Sequence, residues 1–553
     1  MRHFLASIFV LSSIFSSAQT GPKQYWIQFM DKTNTPFDLN QPLEIISQRA
    51  LDRRHAQGIS LNESDLPVDP AYIQAVLDEG TSYLTHSKWF NSVSVHIPDS
   101  ATLNAVLGLP FVVNYEAVGK TKKPSEPNEK LEIEISQKAG GGIEYLEGDY
   151  GLAFNQIDML GGMNLHQSGY MGEGMLIAVL DAGFPGVNTL SVFDSLNQSG
   201  RLLGTWDFVE RHDSVYEDHP HGMMVLSTMA SYEPGLMIGT APKASYILLR
   251  TEDASTEFPI EEDYWVAGAE YADSAGADII NSSLGYTTFL NSVYDHSYSD
   301  LDGNTTRSAI GADIAASKGI LVVNSAGNSG NSAWQYIGTP ADGDSVLAIG
   351  AVDADGKIAG FSSIGPSFDG DIKPNVCAQG QQAAIINEAG VTVLGNGTSF
   401  SGPIMAGMAA CLWQAYPDLN NMDIFHSIEE SAHKYNNPDD YFGYGIPNFA
   451  MANLILAGFT PSNLDESELF PTYPNPFSSQ IEGVFYSSAK QDLVIRLVNN
   501  LGQVIAKQER SICETCAVTF QFGGLSTLNE GIYYLHLEAD SGEYQQKVVK
   551  LRP

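Results

Sequence analysis

The sequence predicts an α/β domain built on a mostly parallel sheet with helices on both faces. A small α+β unit precedes it and an all-β sandwich follows. Three observations carry this. Continuous apolar runs that stop at a polar residue, residues 174–180 before Asp181 and 320–323 before Asn324, read as strands buried on both faces. Small apolar runs opened by Ser or His, such as 404–416 and 221–230, read as buried helices between such strands. Residues 468–553 change to short alternating segments separated by turn residues.

Taken in order, residues 1–18 read as a signal peptide. Arg2 and His3 give a positive start, residues 4–15 are mostly apolar, and Ser16-Ser17-Ala18 suits cleavage before Gln19. Residues 19–120 form the α+β unit, with strands expected at 25–29 and 91–97 and helices at 45–56 and 71–79. The 91–97 segment alternates, as a half-buried strand does. Residues 121–149 carry Lys122-Lys123-Pro124 and Gly140-Gly141-Gly142 and read as an exposed linker suited to nicking. The α/β domain covers 150–460. Residues 468–553 supply strands at 492–498, 503–508, 531–537 and 543–551, with hairpin turns at Asn499-Asn500-Leu501-Gly502 and Ala539-Asp540-Ser541-Gly542.

Chemistry concentrates at three places in the α/β domain. Gly397-Thr398-Ser399-Phe400-Ser401-Gly402-Pro403 puts a serine at a helix start. Gly395 and Gly397 permit a tight turn there, and Pro403 suits a first helical turn. A serine so placed has its own N–H free at the positive end of the helix dipole. Read alone, it is equally well a helix cap. Asp181 ends a buried strand, and His221 opens a small apolar helix; each, alone, reads more simply as a structural residue. Together they supply a carboxylate, a base and a nucleophile in the chain order Asp, His, Ser.

On these residues the chain resembles the subtilisin-like serine peptidases. The Asp181-Ala182-Gly183, His221-Gly222 and Gly397-Thr398-Ser399 motifs resemble that family's. So do Asn324-Ser325-Ala326-Gly327-Asn328, Gly239-Thr240-Ala241-Pro242 and Asn281-Ser282-Ser283-Leu284-Gly285. Met223, Met224, Phe400 and Ser401 depart from it. The resemblance implies a secreted endopeptidase with Ser399 as nucleophile, His221 as base, Asp181 orienting His221, and Asn328 with the Ser399 N–H holding the oxyanion. It implies that Ser283, Leu284 and Gly285 pair with the substrate backbone. Ser325, Ala326 and Gly327 would form the opposite wall of an uncharged specificity pocket. A catalytically inactive surface adhesin or scaffold on the same fold is the competing reading. By position, residues 19–120 resemble the family's inhibitory propeptide. Tyr473-Pro474-Asn475-Pro476-Phe477 and Gly531-Ile532-Tyr533-Tyr534 resemble a type IX secretion sorting domain, which implies export to the outer-membrane surface or beyond. An accessory binding sandwich is the alternative.

Composition fits an exported protein. The formal net charge of −37 argues against nucleic acid and anionic membrane as partners. The expected partners are protein or peptide substrates, the propeptide as inhibitor and the export machinery, and the expected state is a monomer. No cofactor is required for catalysis. Structural calcium is an open possibility at Asp300-Leu301-Asp302-Gly303-Asn304, which is otherwise a polar turn. Of four cysteines, Cys377 and Cys411 read as buried and inert, and Cys513 and Cys516 as a pair either free or locally bridged.

Overall fold

The structure is a computed structural model that describes residues 23–120, 131, 134–136, 149–458, 467–469, 472, 475–487, 489–512 and 516–552. The signal peptide and Cys513 lie outside them, as does the side chain of Cys516. Among the described residues no helix is long and apolar enough to cross a membrane.

The central sheet has seven strands. In spatial order they are Val376–Gln379, Val346–Val352, Leu321–Ser325, Ile279–Ser282, Leu176–Asp181, Ser245–Arg250 and Leu202–Asp207. Every neighbouring pair is parallel. The apolar run of Leu176–Asp181 is explained by its two covered faces. Ile177 and Val179 enter one core with the helices His221–Ala230 and Thr398–Ala415. Leu176, Ala178 and Leu180 enter the other, with the helices Ile260–Ala275 and Arg307–Ser317. The first strand of the domain therefore sits inside the sheet, with later strands added on both sides. Its carboxyl end opens where ligands bind in open parallel sheets.

The N-terminal unit is a four-stranded antiparallel sheet, ordered Ser82–Ser87, Ser92–Ile97, Lys23–Phe29 and Val112–Lys120. Helices Pro70–Asp78 and Ser100–Leu107 contribute Val76 and Val106 to its own core. The helix expected from residue 45 begins later, at Gln48, because Ser47 caps it by accepting the Ala50 N–H at 3.1 Å. The strand Ser92–Ile97 is buried on both faces rather than one. Its second face packs on the peptidase-side helix Ile260–Ala275, where the Ser94 hydroxyl donates to Asp263 at 2.7 Å.

This interface is strongly ionic. Arg53 and Arg54 reach Asp273 at 2.6 and 2.9 Å, and Arg54 also reaches Asp65 at 2.9 Å. Ser87 Oγ and the Lys88 and Trp89 N–H groups all donate to Glu270. In a chain with 28 cationic side chains against 65 acidic ones, cations are concentrated where the two units meet. The linker is not wholly exposed as expected. Glu134–Ser136 forms a strand antiparallel to Thr392–Asn396.

The C-terminal unit pairs a three-stranded sheet with a four-stranded one, and both contribute to one core. The expected sandwich is thus present, with the additional strands Ile481–Ser487 and Cys516–Phe522. It rests on helix Phe449–Leu456 through Ala450, Met451 and Leu454.

Candidate active site

Asp181 ends its strand fully buried. Its Oδ1 accepts from the Ala182 N–H and from His221 Nδ1, each at 2.7 Å. Among the described residues Oδ2, which is buried, has no hydrogen-bond partner. His221 follows Pro220 and is the first residue of its helix. With Nδ1 committed to Asp181, its Nε2 is the nitrogen left for chemistry. His219 lies beside it, ring centroids 6.4 Å apart, and its Nδ1 accepts the His221 N–H at 3.3 Å. Burial, reinforced by His221, pushes the His219 pKa down. Met223 and Met224 turn into the core below, so the departures here affect packing.

Ser399 is reached by a short strand, one strained residue and a helix. Gly397 has φ 153 and ψ 146, a region open essentially to glycine. Gly395 serves differently from expectation: it lies in the strand Thr392–Asn396, not in the turn. A Cβ there would stand 2.6 Å from the Phe400 ring and 2.7 Å from Ile385. The bulk of Phe400 is thus directed away from the cleft into the core, where it is fully buried.

Pro403 also differs from expectation. The helix starts at Thr398, so Pro403 falls past the first turn and cannot donate to the Ser399 carbonyl. That carbonyl instead accepts the Ser283 hydroxyl at 3.0 Å. The missing helical bond ties the nucleophile's backbone to the far wall of the cleft.

That cleft holds a cavity of about 220 Å³ bordered by Ser399, Asn328, Ser283, Leu284, Gly285, Ser325 and Gly327. No charged side chain borders it. Ala326 does not border it; its methyl packs with Leu301, Ile337 and Ala348, since alternate residues at the strand's end face opposite ways. Sequence reading missed Thr287, Tyr336, Gly338, Ser363 and Leu131 on the rim. The alternating Leu131-Glu132-Ile133-Glu134-Ile135 pattern is the one signal that could have pointed to the last of these.

Asn328 is oriented by its oxygen. Oδ1 accepts from Thr398 N at 2.8 Å and Thr398 Oγ1 at 2.9 Å. The amide nitrogen is then turned toward the Ser399 side, 3.6 Å from where a Gly397 Cβ would stand. The structure therefore brings Asp181 onto His221, and Asn328 beside Ser399. The helices bearing His221 and Ser399 pack together in one core. Among the described residues Ser399 Oγ makes no hydrogen bond to His221, a contact that commonly tightens only with substrate bound.

In the turn at residues 300–304, Asp300 accepts from Ser297, and Asp302 accepts from Asn304 and Thr305. Carboxylates converge at Glu252, Glu257 and Glu261, buried, and at Asp344, Asp369 and Asp371, exposed. Cys377 and Cys411 are fully buried, and burial pushes both thiols far up.

Comparison with known proteins finds similarity in three parts of the chain. Residues 172–445 match the subtilase family. Residues 24–132 match the peptidase S8 propeptide domain of Bacteroidota, running past the boundary expected at 120. Residues 471–551 match a secretion system C-terminal sorting domain. Subtilisin NAT of Bacillus subtilis subsp. natto is 30% identical over 291 residues, 52% of this chain and 68% of its own length. Subtilisin of Bacillus pumilus is 30% identical over 291 residues, 52% of this chain and 94% of its own. Among solved structures, MycP1 with its N-terminal propeptide removed aligns with TM-score 0.44 and 22% identity, covering 54% of this chain and 96% of that one.

Proposed function

The chain belongs to the subtilase family of serine peptidases, and from that premise we propose that it hydrolyses peptide bonds through an acyl-enzyme on Ser399. It carries a propeptide domain and a sorting domain, and it is a secreted or cell-surface protein. The observations that support the mechanism are the Asp181–His221 hydrogen bond, the packing of the helices that bear His221 and Ser399, and Ser399 beside Asn328 at an uncharged cleft.

Ser399 Oγ attacks the scissile carbonyl while His221 Nε2 takes its proton and then delivers it to the leaving amine. Asp181 fixes the tautomer and offsets the imidazolium charge. The Asn328 amide and the Ser399 N–H, unclaimed at the second position of its helix, hold the oxyanion. Side chains and the Ser399 backbone N–H supply these steps, and none of them calls for a cofactor. Substrate lies along Ser283, Leu284 and Gly285 by main-chain pairing, which tolerates many sequences. The uncharged pocket favours apolar side chains at the residue before the cut.

A fluorophosphonate probe tests this. It should label the wild type on the peptide containing Ser399 and leave Ser399→Ala unlabelled. A processed wild type that takes no label would sink the peptidase mechanism and favour a scaffold.

Asn328→Ala separates two roles. The turnover number should fall about 10²–10³-fold with KM little changed, a magnitude borrowed from subtilisin itself rather than derived from this chain. Stability should fall by only about 1 kcal/mol, for the lost cap on Thr398. Turnover within tenfold of wild type would remove Asn328 from the oxyanion site.

A further inference from the structure

Among the described residues, Leu131 is the one member of the segment upstream of residue 149 that borders the active-site cavity. It does so beside Ser399, Asn328 and Leu284. Three residues further on, Glu134 begins the strand that pairs with Thr392–Asn396, the strand leading directly to the nucleophile. The pairing is antiparallel, with Ser136 opposite Leu394, Ile135 opposite Gly395 and Glu134 opposite Asn396. The chain thus approaches the cleft with an apolar side chain at its specificity cavity and leaves along the strand before the serine. That is how a substrate spanning the cut would lie. The propeptide match, an independent observation, ends at residue 132, one residue past Leu131.

We infer that the chain processes itself at the Leu131–Glu132 peptide bond, with Leu131 as the residue the cavity selects; this rests on the peptidase mechanism proposed above. Ser399 Oγ adds to the Leu131 carbonyl carbon and its proton passes to His221. The Leu131–Glu132 C–N bond breaks, and the Glu132 amine leaves with that proton. Water then hydrolyses the Leu131 ester, restoring the Ser399 hydroxyl and releasing a Leu131 carboxylate. Residues 134–136 become part of the new N-terminal segment. They must leave the strand Thr392–Asn396 before the downstream half of another substrate can pair there.

The test uses the full chain without its signal peptide, sampled early by intact mass and N-terminal sequencing. Two products are expected in equal amounts, one ending at Leu131 and one beginning Glu132-Ile133-Glu134. Leu131→Asp should slow their appearance by on the order of 10²-fold, because it places a carboxylate against an uncharged wall. Leu131→Met should process near the wild-type rate at the same bond, which guards against a folding defect in the aspartate variant. A wild type that takes the fluorophosphonate label but begins elsewhere overturns the assignment and leaves the peptidase mechanism standing. A wild type that neither labels nor cuts overturns both.

Discussion

Asp181→Asn slows self-processing by about 10⁴-fold while the chain stays folded. The reason lies in how the carboxylate is used. One oxygen, Oδ1, accepts from both the Ala182 N–H and His221 Nδ1 at 2.7 Å. An asparagine that kept its oxygen there would bury an unpaired NH2 at the place of Oδ2, whereas one that turned its amide round would present N–H toward Nδ1. That selects the tautomer with the proton on Nε2, and His221 can no longer accept the Ser399 proton. The lost charge matters as well. Asp181 is fully buried and, among the described residues, its Oδ2 has no hydrogen-bond partner, so its field at the imidazolium is little screened. Substrate contacts on the far wall are untouched, so the loss should fall on the rate of the step and not on binding. The first-order conversion of the full chain, followed at several concentrations, reads this directly. A loss of less than tenfold would mean that Asp181 does not orient His221.

What the sequence shows and hides follows from the range of the interactions. Asp181 is legible because a parallel strand covered on both faces must be apolar throughout, so the polar residue where it stops marks the carboxyl edge; Asn328 lies three residues past its strand Leu321–Ser325 and is legible only through the family resemblance. His221 and Ser399 are legible through their order. Gly395 is not, since its smallness answers a ring five positions later that folds back across the strand. Pro403 was misplaced because a helix start is set by its cap, and Asn328, remote in sequence, takes the first N–H. Strand Ser82–Ser87 was missed because it has no apolar alternation; it meets the helix Ile260–Ala275, to whose Glu270 the Ser87 hydroxyl donates. The Glu134–Ser136 strand was missed because its partner lies in a distant part of the chain. Arg53 and Arg54, in the charged run Asp52-Arg53-Arg54-His55, are both buried. Ion pairs between units leave no local pattern.

Those arginines carry the last prediction: Arg54→Ala weakens the hold of the processed propeptide on the enzyme by roughly 10²–10³-fold. The Arg54 side chain is fully buried between Asp65 of its own unit and Asp273 of the facing helix. Removing one partner of a buried pair costs about 3–5 kcal/mol, because the charge left behind loses both water and counter-ion. At about 1.4 kcal/mol per tenfold the upper end of that cost would exceed the predicted range. Arg53 and Lys88 still face Asp273, and Lys318 faces Asp65 at 3.1 Å, which softens it. Burial alone would raise both carboxyls, but Arg54 with Lys318 holds Asp65 below its ordinary value, and Lys88, Arg53 and Arg54 do the same for Asp273. A pKa depressed in the complex contributes affinity that is present above the ordinary carboxyl value. That affinity is lost as pH falls through the depressed one. The wild-type complex should therefore loosen below about pH 4. Asp263, Glu270 and Asp278 run in the opposite sense, since burial pushes each of them up. The acid release thus falls chiefly to Asp273, whose cations all come from the other unit, since Asp65 keeps Arg54 and the Asn62 N–H when the units part. Free enzyme appearing on dilution of the nicked complex, titrated with fluorophosphonate, measures both effects. Unchanged release from Arg54→Ala would show that the apolar contacts of Trp26 and Val118 with Phe258 and Tyr264 hold the two units together without the ion pairs.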